Sequence, residues 1–328
     1  MTAVATEVAT GTVTLAKALN LGLDAALAAD PRVVLMGEDI GQLGGVFRVT
    51  DGLQERYGAD RVVDTPLGES GIVGTAIGLA MRGYRPVCEI QFDGFVYPAF
   101  DQIVSQLAKL HFRSRGRVRM PVTIRIPYGG GIGAVEHHSE SPEAYFVHTA
   151  GLKVVSCATP ADAHVMVQQA VASDDPVVLL EPKRRYWDKG ELTPVQESLW
   201  QARVVRPGTD CTLLAYGPMV RTCLDAATAS ELDLEVVDLR SLSPLDLDTV
   251  VQSVRRTGRC VVVHEASRTL GTGAELAARL TEELFYELEA PVLRVTGFDL
   301  PYPPARMEEH HLPDLDRVLH AVDRAMGF

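Results

Sequence analysis

The sequence predicts an α/β protein of two domains, each a mostly parallel sheet flanked by helices on both faces. Three observations lead there. Short runs rich in β-branched residues alternate with helical patterns along the chain. Those runs are apolar throughout, as strands buried on both faces must be. The length of 328 residues is about twice a common domain of roughly 150. In order, strands are predicted over residues 32–36, 61–63, 87–92, 122–126, 153–156 and 177–180. Helices fall between them over 71–81, 98–110 and 161–172; in the first, Gly74 and Gly78 lie one turn apart and let the backbone approach a neighbour or a cofactor. From Glu181 to about Pro207 the pattern lapses, for longer than a connection of about 4–6 residues, and reads as a linker. Strands resume over 212–216, 234–239, 260–264 and 292–295. The helix over 274–288 repeats Leu276, Leu280, Leu284 and Leu288 every fourth residue, a core-packing stripe, and a last helix runs over 315–326. The domains expected are a flexible N-terminus over 1–12, a first domain over 13–190, a linker over 191–207 and a second domain over 208–328.

Composition narrows the function. With 31 Lys+Arg against 43 Asp+Glu the formal charge is −12, which repels a nucleic-acid backbone at long range and argues against it as a partner. No apolar run reaches the roughly 18–20 residues that span a bilayer. The five cysteines are odd in number, widely spaced and form no CxxC pair, so they read as reduced core thiols. The first residues carry no secretion-signal pattern, and a cytoplasmic protein is expected.

In such sheets ligands lie beyond the carboxyl ends of strands, so the loops there are the candidate sites. Asp64-Thr65-Pro66-Leu67-Gly68-Glu69 leaves a strand and enters the small-residue helix. Glu69 reads either as a catalytic carboxylate or as a helix-start carboxylate favoured by the helix dipole, worth about 0.3–1 kcal/mol. After the strand at 122–126 come Gly129, Gly130, Gly131 and Gly133, then His137 and His138. This loop brings imidazoles to the same edge; in an extended segment one faces the site and the other solvent. Two adjacent histidines without a third spaced ligand are weak evidence of a metal, and no Gly-Lys-Ser/Thr follows the glycines to make a phosphate loop. Gln91 to Phe95 could line a flat heterocycle or simply pack a core boundary. His264-Glu265 and His310-His311 read as interface or surface groups, and Lys183-Arg184-Arg185 as a solvated linker face.

At these stretches the chain resembles the beta subunit of thiamine-diphosphate-dependent 2-oxo acid dehydrogenase complexes, nearly end to end. The resemblance runs through Gly37-Glu38-Asp39-Ile40-Gly41, Gly44-Gly45-Val46-Phe47, the Glu69 segment, Pro98-Ala99-Phe100-Asp101-Gln102, His138-Ser139-Glu140-Ser141-Pro142-Glu143-Ala144, Glu181-Pro182-Lys183 and Gly297-Phe298-Asp299. It implies a transketolase-like pyrimidine-binding domain followed by a transketolase C-terminal-like domain. Glu69 would hydrogen-bond the aminopyrimidine nitrogen of thiamine diphosphate, with Leu67, Gln91 and Phe95 lining the pyrimidine pocket, and the cofactor would carry the decarboxylation. His138 would assist acyl transfer to a lipoyl group. Where the family commonly reads His-Ser-Gln, Glu140 places a carboxylate beside that imidazole and favours its charged form. The resemblance also implies a potassium site at Val122, Ala170, Val171, Ser173 and Asp175, with Ser173 and Asp175 in place of the usual Asp and Asn. The Gly-Asp-Gly that holds magnesium and diphosphate is missing, so an alpha subunit would hold Mg2+ and the diphosphate half in a heterotetramer of two alphas and two betas. The second domain would hold the beta–beta contact and dock the dihydrolipoyl acyltransferase core. The substrate implied is a small 2-oxo acid, branched-chain by the Ser-Pro-Glu-Ala after His138, with pyruvate or acetoin chemistry as the near alternatives and a non-catalytic scaffold as the different one.

Overall fold

The computed structural model describes residues 11–195 and 197–328. The strands in chain order are β1 (Thr12–Thr14), β2 (Val33–Gly37), β3 (Val62–Asp64), β4 (Arg85–Glu89), β5 (Thr123–Tyr128), β6 (Lys153–Ser156), β7 (Val177–Pro182), β8 (Lys189–Glu191), β9 (Arg203–Arg206), β10 (Cys211–Ala215), β11 (Leu234–Asp238), β12 (Ser241–Ser243), β13 (Cys260–Ser267) and β14 (Leu293–Gly297). The first lobe is a seven-stranded sheet ordered β12-β6-β7-β5-β4-β2-β3, and the second a five-stranded sheet ordered β14-β13-β10-β11-β9. All pairs are parallel except the edges β12 and β9. Strand β12 leaves the second half of the chain and completes the first sheet beside β6, so the lobes interlock.

Residues 1–10 of the expected N-terminal segment lie outside the described residues; Thr12 already pairs with Glu191, β1 and β8 forming a small antiparallel ribbon. One helix outside the sequence expectation packs on the first lobe. Thr14 caps α1 (Leu15–Ala29) by accepting from the Lys17 amide, and Leu15, Leu19, Leu23 and Leu27 bury one face. That face packs on the helix at Pro160–Ala172, at a distance that a Cβ on Gly22 would forbid because it would overlap Val167 and the His164 carbonyl. One apolar cluster runs continuously from Ile124 and Val178 of the first sheet to Val262 of the second and Leu280 of the helix Thr272–Leu284 that covers it. Each such buried side chain contributes about 1.5–3 kcal/mol of transfer free energy, which ties the lobes into one body.

The helix expected over 98–110 is irregular: a 3-10 stretch at Asp93–Ala99, a π stretch at Gln102–Leu107, and only then an α-helix at Ala108–Arg113. Pro98, inside the 3-10 stretch, cannot donate an intrahelical bond, so no regular α-helix runs through it. The leucine-stripe helix spans Thr272–Leu284, and its chain turns before Leu288, leaving Leu276, Leu280 and Leu284 as the buried stripe.

Candidate active site

Because β2, β3, β4, β5, β6 and β7 run parallel, their carboxyl ends gather on one edge, and with them Glu38, Glu69, the segment Gln91–Phe95, the loop 129–140 and Lys183. Glu69 is the first residue of the helix Glu69–Met81 and is 8% exposed. No group among the described residues hydrogen-bonds its carboxylate. The preceding amide, Gly68 N, donates to Glu38 Oε1 at 3.1 Å, and burial raises the Glu38 carboxyl, helped by the charge of Glu69. Leu67 is 86% exposed, a leucine turned outward at the mouth. Gln91 Nε2 donates to the Glu38 carbonyl at 3.3 Å, and Phe95 is half-buried.

The histidines sit on a 3-10 turn, Glu136–His138, not on an extended segment, and this turn separates them. His138 stacks on Phe92 with centroids 4.1 Å apart at 25° and meets Phe95 edge-on at 5.1 Å. Its Nδ1 is buried without a partner. His137 is exposed, with Nδ1 3.5 Å from Glu136. The carboxylate expected beside His138 is elsewhere: Glu140 accepts from the Tyr97 hydroxyl at 3.2 Å, and burial holds its carboxyl above the usual range. Asp93, buried below, accepts from the Glu140 amide at 2.9 Å and pairs with Lys183.

Three further sequence expectations are overturned. Lys183 is not on a solvated face; it and Asp93 are both fully buried, burial pulling the ammonium down and pushing the carboxyl up against their mutual attraction. Its neighbour Arg184 pairs with Glu265 at 2.9 Å across the lobes. His264 is core, its Nδ1 on the Ala266 carbonyl at 3.1 Å, its Nε2 accepting from Gly273 N at 3.2 Å, and burial lowers it to about 4. His311 is buried too, while His310 is exposed. Missed in the sequence is a buried network beneath the edge, in which Arg125 bridges Glu89 at 2.6 Å and Glu181 at 2.7 Å and Tyr186 donates to Glu181 at 2.6 Å. Single charged residues within and after separate strands carry no pattern by which to find it.

The potassium expectation does not fit. All five backbone carbonyls already carry a protein donor: Val122 from Val177 N at 3.0 Å, Ala170 from Ser173 N at 3.1 Å, Val171 and Ser173 from the Arg85 guanidinium at 3.1 and 2.9 Å, and Asp175 from the Ser173 hydroxyl at 3.0 Å. The Asp175 carboxylate pairs with Lys153 at 2.7 Å. Arg85 thus supplies the positive charge there and would repel a second cation. Exchanging potassium for sodium or choline at constant ionic strength is expected to leave the melting temperature within about 1 °C, since no ion binds the native state selectively; a larger potassium-specific rise in a calorimetric scan would restore the site.

The profile of the transketolase pyrimidine-binding domain matches residues 11–188, and that of the transketolase C-terminal domain residues 201–318. The chain is also similar to a solved split-gene transketolase, an inactive beta4 tetramer, at a TM-score of 0.79 over 97% of this chain and 99% of that one; at 24% identity this supports the fold alone. Matches to both transketolase domains over most of the chain place it in the thiamine-diphosphate-dependent class of enzymes. Full-length relatives narrow the class further. The chain is 59% identical to the pyruvate dehydrogenase E1 component subunit beta of Leifsonia xyli subsp. xyli, covering 96% of this chain and 95% of the relative. It is 57% identical to the 3-methyl-2-oxobutanoate dehydrogenase subunit beta of Mycobacterium tuberculosis (99% and 95% covered) and 46% identical to the 2-oxoisovalerate dehydrogenase subunit beta of Pseudomonas aeruginosa (95% of each). The chain belongs to this family of 2-oxo acid dehydrogenase beta subunits.

The edge residues fit half of the family's cofactor. Glu69, a mostly buried residue, offers a carboxylate that no described residue engages, Phe92 and Phe95 offer an aromatic wall, and Leu67 offers uncovered apolar surface. Among the described residues no group of three or more His, Cys, Asp or Glu side chains is placed to hold a metal ion.

Proposed function

We propose that this chain is the beta subunit of a decarboxylating component that acts on a branched-chain 2-oxo acid, passes the acyl group to the lipoyl arm of a dihydrolipoyl acyltransferase, and works in a heterotetramer of two alphas and two betas. The observation that carries the reading is the presence, on one sheet edge, of a carboxylate at Glu69 that no described residue engages and of a ring-stacked imidazole at His138. Glu69 holds and exchanges a proton at its carboxyl with the ring nitrogen of the cofactor's pyrimidine. Leu67 and Phe95 keep water from the pyrimidine, and Gln91 orients it. When bound, thiamine diphosphate supplies the electron sink for loss of carbon dioxide. His138, fixed by Phe92 and Phe95, supplies the proton that acyl transfer to the dithiolane requires. The alpha subunit supplies the magnesium and diphosphate half, a reading supported by the missing Gly-Asp-Gly. The second lobe docks the acyltransferase core. The cytoplasm is the proposed compartment, supported by five free, buried cysteines; no helix of the described residues is long and apolar enough to cross a membrane.

A second reading, pyruvate as substrate, is favoured by the 59% identity to a pyruvate dehydrogenase subunit. The assembled enzyme decides between them. On the branched-chain reading kcat/KM for 3-methyl-2-oxobutanoate exceeds that for pyruvate by about tenfold or more, the scale on which pockets sort extra methyl groups; the reverse order selects pyruvate. In the same enzyme His138→Ala is expected to lower acyl transfer to lipoamide by about 100-fold more than decarboxylation with an artificial electron acceptor. Equal losses would remove His138 from the transfer step.

A further inference from the structure

The glycines after β5 match no phosphate motif, yet their backbone amides converge as in an anion-binding nest. The anions they meet are side chains of the second lobe. Gly130 N donates to Glu265 Oε2 at 3.0 Å, Gly131 N to Glu308 Oε2 at 3.0 Å and Gly133 N to Glu308 Oε1 at 3.1 Å, while the Tyr302 hydroxyl donates to Glu308 Oε2 at 2.8 Å. Both requirements on the run follow from this. Gly131 and Gly133 lie at φ of +86° and +71°, and a Cβ on Gly130 would overlap the Tyr302 hydroxyl. At its far end the loop is closed by Gly129 N donating to the Glu140 carbonyl at 2.9 Å, with Glu140 N on Asp93. His138 sits between these two anchors.

We propose that Glu308 is a positioning residue for the loop that presents His138: its carboxylate, oriented by Tyr302, takes the Gly131 and Gly133 amides and sets where the imidazole stands against Phe92. The second lobe therefore contributes to the chemistry of the first through a carboxylate that touches no substrate. The inference rests on the reading of His138 as the group that assists acyl transfer.

Glu308→Gln tests it in the assembled holoenzyme, because an amide keeps the shape but turns an NH2 toward one of the two N–H donors. Hydrogen–deuterium exchange across residues 129–140 is expected to rise about tenfold, the scale of one lost charge-assisted hydrogen bond, with the rest of the chain unchanged. Acyl transfer to lipoamide should fall by about tenfold while decarboxylation with an artificial acceptor stays within about twofold. Glu308→Gln added to His138→Ala should lower transfer no further than His138→Ala alone. Unchanged exchange, or faster exchange with normal transfer, overturns the proposal. A His138→Ala enzyme that transfers normally refutes instead the reading of His138, whatever the exchange reports. Should Glu308→Gln fail to assemble, Tyr302→Phe removes only the hydroxyl behind the carboxylate, and the absence of any rise in exchange over 129–140 in that variant likewise overturns the proposal.

Discussion

Glu69→Gln is expected to lower decarboxylation by the assembled enzyme by about 10²–10⁴, the contribution of a positioned proton-transfer group. The amide can still hydrogen-bond a ring nitrogen, but it cannot exchange a proton with it. Stability should hardly move. The side chain is the first residue of its helix, and the charge there is worth only about 0.3–1 kcal/mol through the helix dipole. Because no described residue uses the carboxylate, nothing in the fold loses a partner. The measurement is steady-state decarboxylation with an artificial electron acceptor beside a thermal melt. Near-normal turnover with an unchanged melt would leave Glu69 as a helix-start carboxylate and nothing more.

Lys183→Met is expected to have the largest effect on stability. Lys183 and Asp93 are fully buried and paired, and removing one partner of such a pair costs about 3–5 kcal/mol because the other charge is left without compensation. For a chain of this size that corresponds to a fall in melting temperature on the order of 10 °C. Asp93→Asn added to Lys183→Met should recover most of the loss, since the uncharged amide still offers its oxygen to the Glu140 amide. A double variant no more stable than the single would mean that the charge of Lys183 was not the source of the cost. The methionine stem fills the space of the lysine stem, so a cavity is a small part of the expected change.

Much of the architecture is legible because parallel strands buried on both faces must be apolar along their length; the segments at Lys153–Ser156 and Val177–Pro182 declare themselves in this way. The helix Leu15–Ala29 carries an equally regular leucine repeat, but the three-residue strand before it, paired only with Lys189–Glu191, is too short to show the alternation that frames the other helices. Glu69 was legible as a candidate because a Pro-Leu-Gly turn into a small-residue helix is a local signal. Lys183 is illegible for the opposite reason: a Lys-Arg-Arg run carries the pattern of a solvated face, and its burial depends on the strand ends it abuts.

The class of fold, the family and the short list of groups at the sheet edge are written in the linear order of residues, since periodicity, turns and ordered motifs are properties of neighbours along the chain. Which groups meet is set by folding: Glu140 with Tyr97 and not His138, Arg85 on the carbonyls of Val171 and Ser173, Arg125 between two glutamates, and Glu308 on the glycine loop. These contacts join residues tens to hundreds of positions apart. Their energies depend on burial and on distances of a few ångströms, which the folded chain sets through packing that no local pattern encodes.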